Sequence, residues 1–289
     1  MVLFFAIAFL GQYFINAGKP IVYLIIGIIS VFACFAISHF SRKNFIYLSF
    51  TFNLFGYIIL YYFILRLHYY NLNPIIANEL VAIFLMLVLV GVQLYYSIRK
   101  HSQTLAGWAL TLAVITSFVS NNTQQFFLIS ILTTVLSLYL FWKYGWWKAL
   151  IFILSITYLS FLIWMFKNHA LLAKNPEDIN HYFIFIYFSI TTAIYSLVVF
   201  KKPNDLYNSG LILSIILLAG IAYSVLLLLL VFMYFSTAYV LFFLAISIYC
   251  LAYSIILKFY SPYKYSPALY ALFGFVGISI AIWGIYQFP

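Results

Sequence analysis

The sequence predicts an all-α protein, a polytopic bundle of transmembrane helices, and three observations carry that expectation. Of 289 residues, 67% are hydrophobic and only 6% are charged, and the mean hydropathy is +1.12. A water-soluble domain carries about 25% charged residues, so 14 cations and 4 acids cannot clothe this chain in a solvated shell. The bilayer is then the solvent, and backbone groups inside it need helices or a closed barrel. Barrel strands alternate apolar and polar over about ten residues, whereas runs such as 211–235 are almost continuously apolar. Lastly, short turns separate the runs, and these turns are alternately rich and poor in Lys and Arg.

A helix needs about 20 apolar residues to cross a hydrocarbon core of about 30 Å. By that measure the chain holds about eleven spans, within a range of about ten to twelve: 2–16, 21–38, 45–66, 75–98, 104–120, 125–142, 147–166, 181–200, 209–234, 237–258 and 267–288. The first run has no basic leader and no small-residue cleavage site, so it reads as a helix rather than a removable signal. It is either short by nature or cut from a longer parent chain. Pro20, Pro74 and Pro267 stand where helices are expected to begin, a position that tolerates the missing N–H. Tyrosines and tryptophans such as Tyr61-Tyr62, Tyr95-Tyr96 and Trp146-Trp147 end or open spans, as amphipathic rings do at the interface. The longest loop, Lys167–Asn180, holds Asn175-Pro176-Glu177-Asp178, a helix cap with acids in the first turn. Between 209–234 and 237–258 the punctuation is Ser236-Thr237 alone. The result is a string of helical hairpins forming one transmembrane domain over 1–289, with no soluble domain.

Charge sets the expected orientation. The turns after the second, fourth, sixth, eighth and tenth spans each carry two cations: Arg42-Lys43, Arg99-Lys100, Lys143 with Lys148, Lys201-Lys202, and Lys258 with Lys264. The opposite turns carry Lys19, Arg66, Lys167 and Lys174. Cytoplasmic loops hold the excess of Lys and Arg, which predicts a bacterial inner membrane protein with a cytoplasmic N-terminus and a periplasmic C-terminus. Cations confined to span ends give the net charge of +10 a topological meaning, so nucleic acid is not an expected partner.

Candidate functional residues are few. Glu79 is the one acid within a predicted span, placed about a turn and a half after Pro74. An intramembrane carboxylate marks a functional site by default; against that stands a structural ion pair with Arg66 near a helix N-terminus. His68 shares that side, and Glu79, Arg66 and His68 form the candidate polar cluster. The last span carries a row of small residues, Ala271, Gly274, Gly277, Ala281 and Gly284, spaced for close helix approach. It is a packing seam that serves the bundle or receives a partner. Cys34 and Cys250 lie in apolar runs and pack as small hydrophobes. No cofactor and no metal site is expected, because the five histidines stand singly at span ends. The His-Glu-x-x-His pattern of zinc proteases is missing, and four acids leave acid–base chemistry with few candidates. An enzyme is therefore the less favoured class.

The turn that begins the fifth span reads Arg99, Ser102, Gln103, Leu105, Ala106 and Gly107, and Lys143 with Trp146-Trp147-Lys148 joins two later spans. In these features spans three to six resemble an uncharacterised family of large bacterial polytopic membrane proteins, a domain of unknown function. That family has a basic turn reading roughly Arg-x-Ser-Gln-x-Leu-Ala and a basic, Trp-bearing turn. Its members usually carry a soluble N-terminal region and more spans, and where they often have Pro this chain has Asn121-Asn122-Thr123-Gln124. The resemblance implies a membrane fold and no particular activity.

Three readings of function follow. The first is a non-catalytic structural or accessory subunit of a bacterial envelope assembly, or a fragment of a larger membrane protein, with the bilayer and other membrane subunits as partners. The second is a small-molecule or lipid exporter of drug/metabolite-transporter size. Many secondary transporters mark their midplane sites with interrupted helices, and no proline interrupts a span here. The third, a lipid-modifying enzyme, would need Glu79 and a histidine to converge in a pocket.

Overall fold

A computed structural model describes residues 20–69, 74–120, 122–172, 181–202, 209–234 and 239–287. Among them are ten α-helices and one 3-10 turn, and no strand. The helices are α1 (Pro20–Ser41), α2 (Ile46–His68), α3 (Glu79–Arg99), α4 (Gln103–Val119), α5 (Thr123–Tyr144), α6 (Trp147–Leu172), α7 (His181–Ser196), α8 (Ser209–Tyr234), α9 (Tyr239–Tyr260) and α10 (Ser266–Gln287). Eight are long and apolar enough to cross a membrane, while α4 and the Ile25–Ser41 stretch of α1 are shorter apolar helices. The expected span 2–16, the Asn175–Asp178 cap and the Ser236-Thr237 break lie outside the described residues.

Three boundaries differ from expectation, each for a local reason. Helix α3 begins at Glu79 rather than near Pro74, because Asn78 caps it with Oδ1 accepting from Leu80 N at 2.9 Å. Asparagine is among the strongest N-caps, so Glu79 occupies the first turn instead of a position inside the span. Helix α6 runs past the apolar segment to Leu172, since Ala170-Leu171-Leu172 are strong helix formers. Helix α7 stops at Ser196, and the β-branched pair Val198-Val199 sits in the 3-10 turn Leu197–Phe200 that follows.

The chain divides into two compact units, Met1–Thr116 and Ser117–Pro289. In the first, α1 and α2 form a closely packed hairpin, and α2 also packs on α3. The hairpin is clamped near its turn by a reciprocal pair: Ser38 Oγ donates to Ser49 O and Ser49 Oγ to Ser38 O, both at 2.7 Å. Farther along, Gly56 lets the Phe35 ring approach so closely that an added Cβ would stand 2.9 Å from Phe35 Cε1. Tyr61 on α2 bonds Thr116 Oγ1 on α4 at 2.9 Å.

The turn joining α3 to α4 is a Schellman motif. His101 N bonds Ile98 O at 3.1 Å and Ser102 N bonds Ser97 O at 3.0 Å, and His101 has φ 50. That left-handed position is usually glycine. Gly145, with φ 70, takes the same position at the end of α5.

In the second unit α9 and α10 form the most extensive helix pair, α5 packs on both α6 and α7, and α8 contacts α6, α7 and α10. Its core is aromatic: Phe126 lies 5.7 Å from Phe161, Phe127 stacks on Tyr187, and Phe188 stacks on Tyr223 at 4.9 Å. Edge-to-face and offset pairs of this kind add to what burial alone contributes.

Candidate functional site

Of the polar residues expected together, Arg66 and His68 stand in the last turn of α2 and Glu79 in the first turn of α3, on either side of one loop. Tyr69, just beyond α2, donates its hydroxyl to Glu79 Oε1 at 3.2 Å. Burial first, and the Glu79 carboxylate second, push the Tyr69 phenol well above its usual range, so it stays a donor. His68 Nδ1–H donates to Ile76 O at 2.6 Å and its ring meets Tyr69 edge-on, with centroids 4.5 Å apart. Arg66 is buried in the last turn of α2, with its guanidinium 5.5 Å from the centre of the Tyr62 ring. Tyr69 thus links His68 to Glu79. Each of these bonds ties the loop to a helix end, which makes the cluster an anchor for the loop.

The small-residue row of α10 faces α9. A Cβ on Gly274 would stand 2.8 Å from Leu251 Cγ and 3.2 Å from Ser247 O, and one on Gly277 would run into Ser247 Oγ. Ala281 is buried, Ala271 is half-buried, and the surroundings of Gly284 lie outside the described residues. Ser254 Oγ closes the same helix pair by donating to Pro267 O at 2.7 Å.

No sequence signal marks a cavity of about 390 Å³ in the second unit, between α7, α8, α9 and α10. Ligand sites typically span about 300–1,000 Å³. Small side chains at helical spacing open it: Ser189, Ala193 and Ser196 on α7, Ala219, Gly220 and Ser224 on α8. Aromatic rings from the other two helices, among them Phe243, Tyr249, Tyr270 and Phe273, form the facing walls.

The wall hydroxyls are largely engaged. Ser196 Oγ donates to Ala193 O at 2.6 Å, Ser224 Oγ to Gly220 O at 2.7 Å, and Thr192 Oγ1 lies 3.0 Å from Tyr158 OH. Ser189 Oγ lies 3.2 Å from Tyr223 OH. The lining residues include no carboxylate, imidazole or cation, and the one thiol, Cys250, is buried. Ile190, Tyr249 and Val276 line the cavity and are exposed. All three stand near the middle of their helices, so the opening lies at mid-helix depth. Such a site accepts an apolar group and offers it hydroxyls and phenols for orientation.

Among the described residues no group of three His, Cys, Asp or Glu could hold a metal ion. The class that fold and cavity define is an α-helical integral membrane protein, with the lipid bilayer as the environment of its apolar helices. No protein-family model, curated protein or solved structure matches the chain.

Proposed function

We propose that the protein binds an apolar or amphiphilic molecule, a lipid chain or a hydrophobic metabolite, inside its second unit and moves it across a bacterial inner membrane. One observation carries this reading: a cavity of about 390 Å³ with apolar and aromatic walls that opens between membrane-spanning helices at mid-helix depth. A chain that only filled space in an assembly would gain nothing from a hollow core, since close packing supplies stability. The exporter reading is therefore preferred to the structural-subunit reading. The cation pattern supports a cytoplasmic N-terminus and a periplasmic C-terminus. The Arg99–Gly107 and Trp146-Trp147-Lys148 turns support kinship with the uncharacterised polytopic family they resemble.

The test is photocrosslinking with a phospholipid that carries a diazirine on its acyl chain, using the full chain in vesicles. Crosslinks should concentrate on 189–196 and 219–227, and Ala193→Phe should reduce them several-fold. Crosslinks spread evenly over the lipid-facing helices would sink the cavity reading. A stoichiometric protein partner on mild-detergent purification, with no bound lipid, would favour the subunit reading instead.

A further inference from the structure

We infer that the first unit holds a binding site for the phosphate of an anionic phospholipid, in a cavity of about 370 Å³ at the end where its two basic turns meet. The walls come from the end of α1 and the turn after it (Ser38, His39, Arg42), the first turns of α2 (Ile46, Asn53), the end of α3 and the turn after it (Tyr96, Lys100) and the residue before α4 (Ser102). The Arg42-Lys43 and Arg99-Lys100 turns are far apart in sequence, and the hairpin packing brings both to this one cavity.

Four features point to an anion. Arg42 and Lys100 both line the cavity, and so does His39 in the last turn of α1. Glu79 is the sole acid of the first 116 residues. It stands at the opposite end of the 21-residue α3, about 30 Å away at 1.5 Å per residue. The cations at the cavity therefore have no carboxylate of their own unit within reach. Two helix N-termini, those of α2 and α4, open on the same space, and α2 has no side-chain cap. Ser102 Oγ caps α4 by accepting from Leu105 N at 3.4 Å, and the dipoles of both helices favour negative charge at this end.

Two further features narrow the ligand. Asn53 Oδ1 is buried in the cavity wall without a hydrogen-bond partner among the described residues. A buried acceptor left unmatched is costly, and it calls for a donor beside the anion, such as a headgroup hydroxyl. Phe35, Ile46, Phe50 and Leu105 complete the wall with apolar surface, which suits the glycerol backbone and first methylenes of a lipid. Basic pockets between transmembrane helices recognise anionic headgroups in this way. The ligand class is a phosphodiester bearing a hydroxylated headgroup, as in phosphatidylglycerol. This site is independent of the cavity in the second unit.

The test is a binding titration of the purified full chain in dodecyl maltoside with dioctanoyl phosphatidylglycerol, dioctanoyl phosphatidylcholine and inorganic phosphate. The phosphatidylglycerol probe should bind more tightly than the choline lipid. Arg42→Gln with Lys100→Gln should weaken it by roughly thirtyfold, two cations' worth at a membrane surface. Arg42→Lys with Lys100→Arg should retain binding, as should Lys258→Gln with Lys264→Gln. Asn53→Leu, which keeps every charge, should lower affinity for phosphatidylglycerol alone. Competition by millimolar inorganic phosphate would keep the phosphate site and assign it to a soluble source. Equal binding of the two lipids, or equal loss from the Lys258/Lys264 variant, would overturn the proposal.

Discussion

The two cavities are close in volume, about 390 and about 370 Å³, and opposite in chemistry. In the second unit the hollow lies along helix middles, where side chains are small or aromatic and hydroxyls are bonded within the protein. In the first it lies at helix ends, where turns bring cations to its walls. The difference follows from where a helical bundle can leave room. Between helix middles a gap arises only by shortening side chains, and what remains is apolar. Between helix ends a gap inherits the polarity of the turns, because each end leaves four backbone groups unsatisfied.

The largest expected effects separate the two. Ala193→Phe should cut acyl-chain crosslinking several-fold and leave phosphatidylglycerol affinity unchanged, while Arg42→Gln with Lys100→Gln should do the reverse. One variant altering both readouts would collapse the distinction. Next in size is Gly277→Val in α10, whose added atoms run into Ser247. Overpacking of this kind costs about 1–3 kcal/mol, read as a lower midpoint in thermal unfolding in detergent. An unchanged midpoint would mean that α9 and α10 are less closely packed than the row of glycines requires.

Smaller effects probe the polar ends of the first unit. His101→Val places a β-branched residue at φ 50 and should destabilise by about 1–2 kcal/mol, whereas His101→Gly should be tolerated. Gln93 is fully buried in α3, and neither amide atom has a hydrogen-bond partner among the described residues. Replacing it with Leu should therefore stabilise the chain by about 1 kcal/mol. A loss of stability on Gln93→Leu would show that the amide is satisfied by water, and would extend the polar character of this unit into its helix middles.

Much of the fold could be read directly because it depends on local patterns. The turns at Arg42-Lys43 and Arg99-Lys100 stood out as breaks between apolar runs, and helices lie on either side of both. The row Ala271, Gly274, Gly277 and Ala281 was visible from spacing alone. That α9 is the neighbour was not, since any helix could have met that face. Glu79 was placed too deep because Pro74 looked like a helix start, while Asn78 made the better cap. His68 and Glu79 stand on either side of one loop, and Tyr69, which bonds Glu79 and packs on His68, has nothing in the sequence to set it apart from the other span-end tyrosines.

Both cavities escaped the sequence for a single reason: each is a property of four helix segments together. Ser189, Ala193, Gly220 and Ser224 are unremarkable one at a time, and so is Asn53. Composition, hydropathy and the alternation of basic turns determined by themselves that this is an all-α membrane chain, because the bilayer leaves the backbone no other economical way to satisfy its hydrogen bonds. Which helices touch, where they fail to fill space, and which cations share one opening were decided only by tertiary packing. In lipid no hydrophobic drive selects one helix neighbour over another, and side-chain fit has to do so.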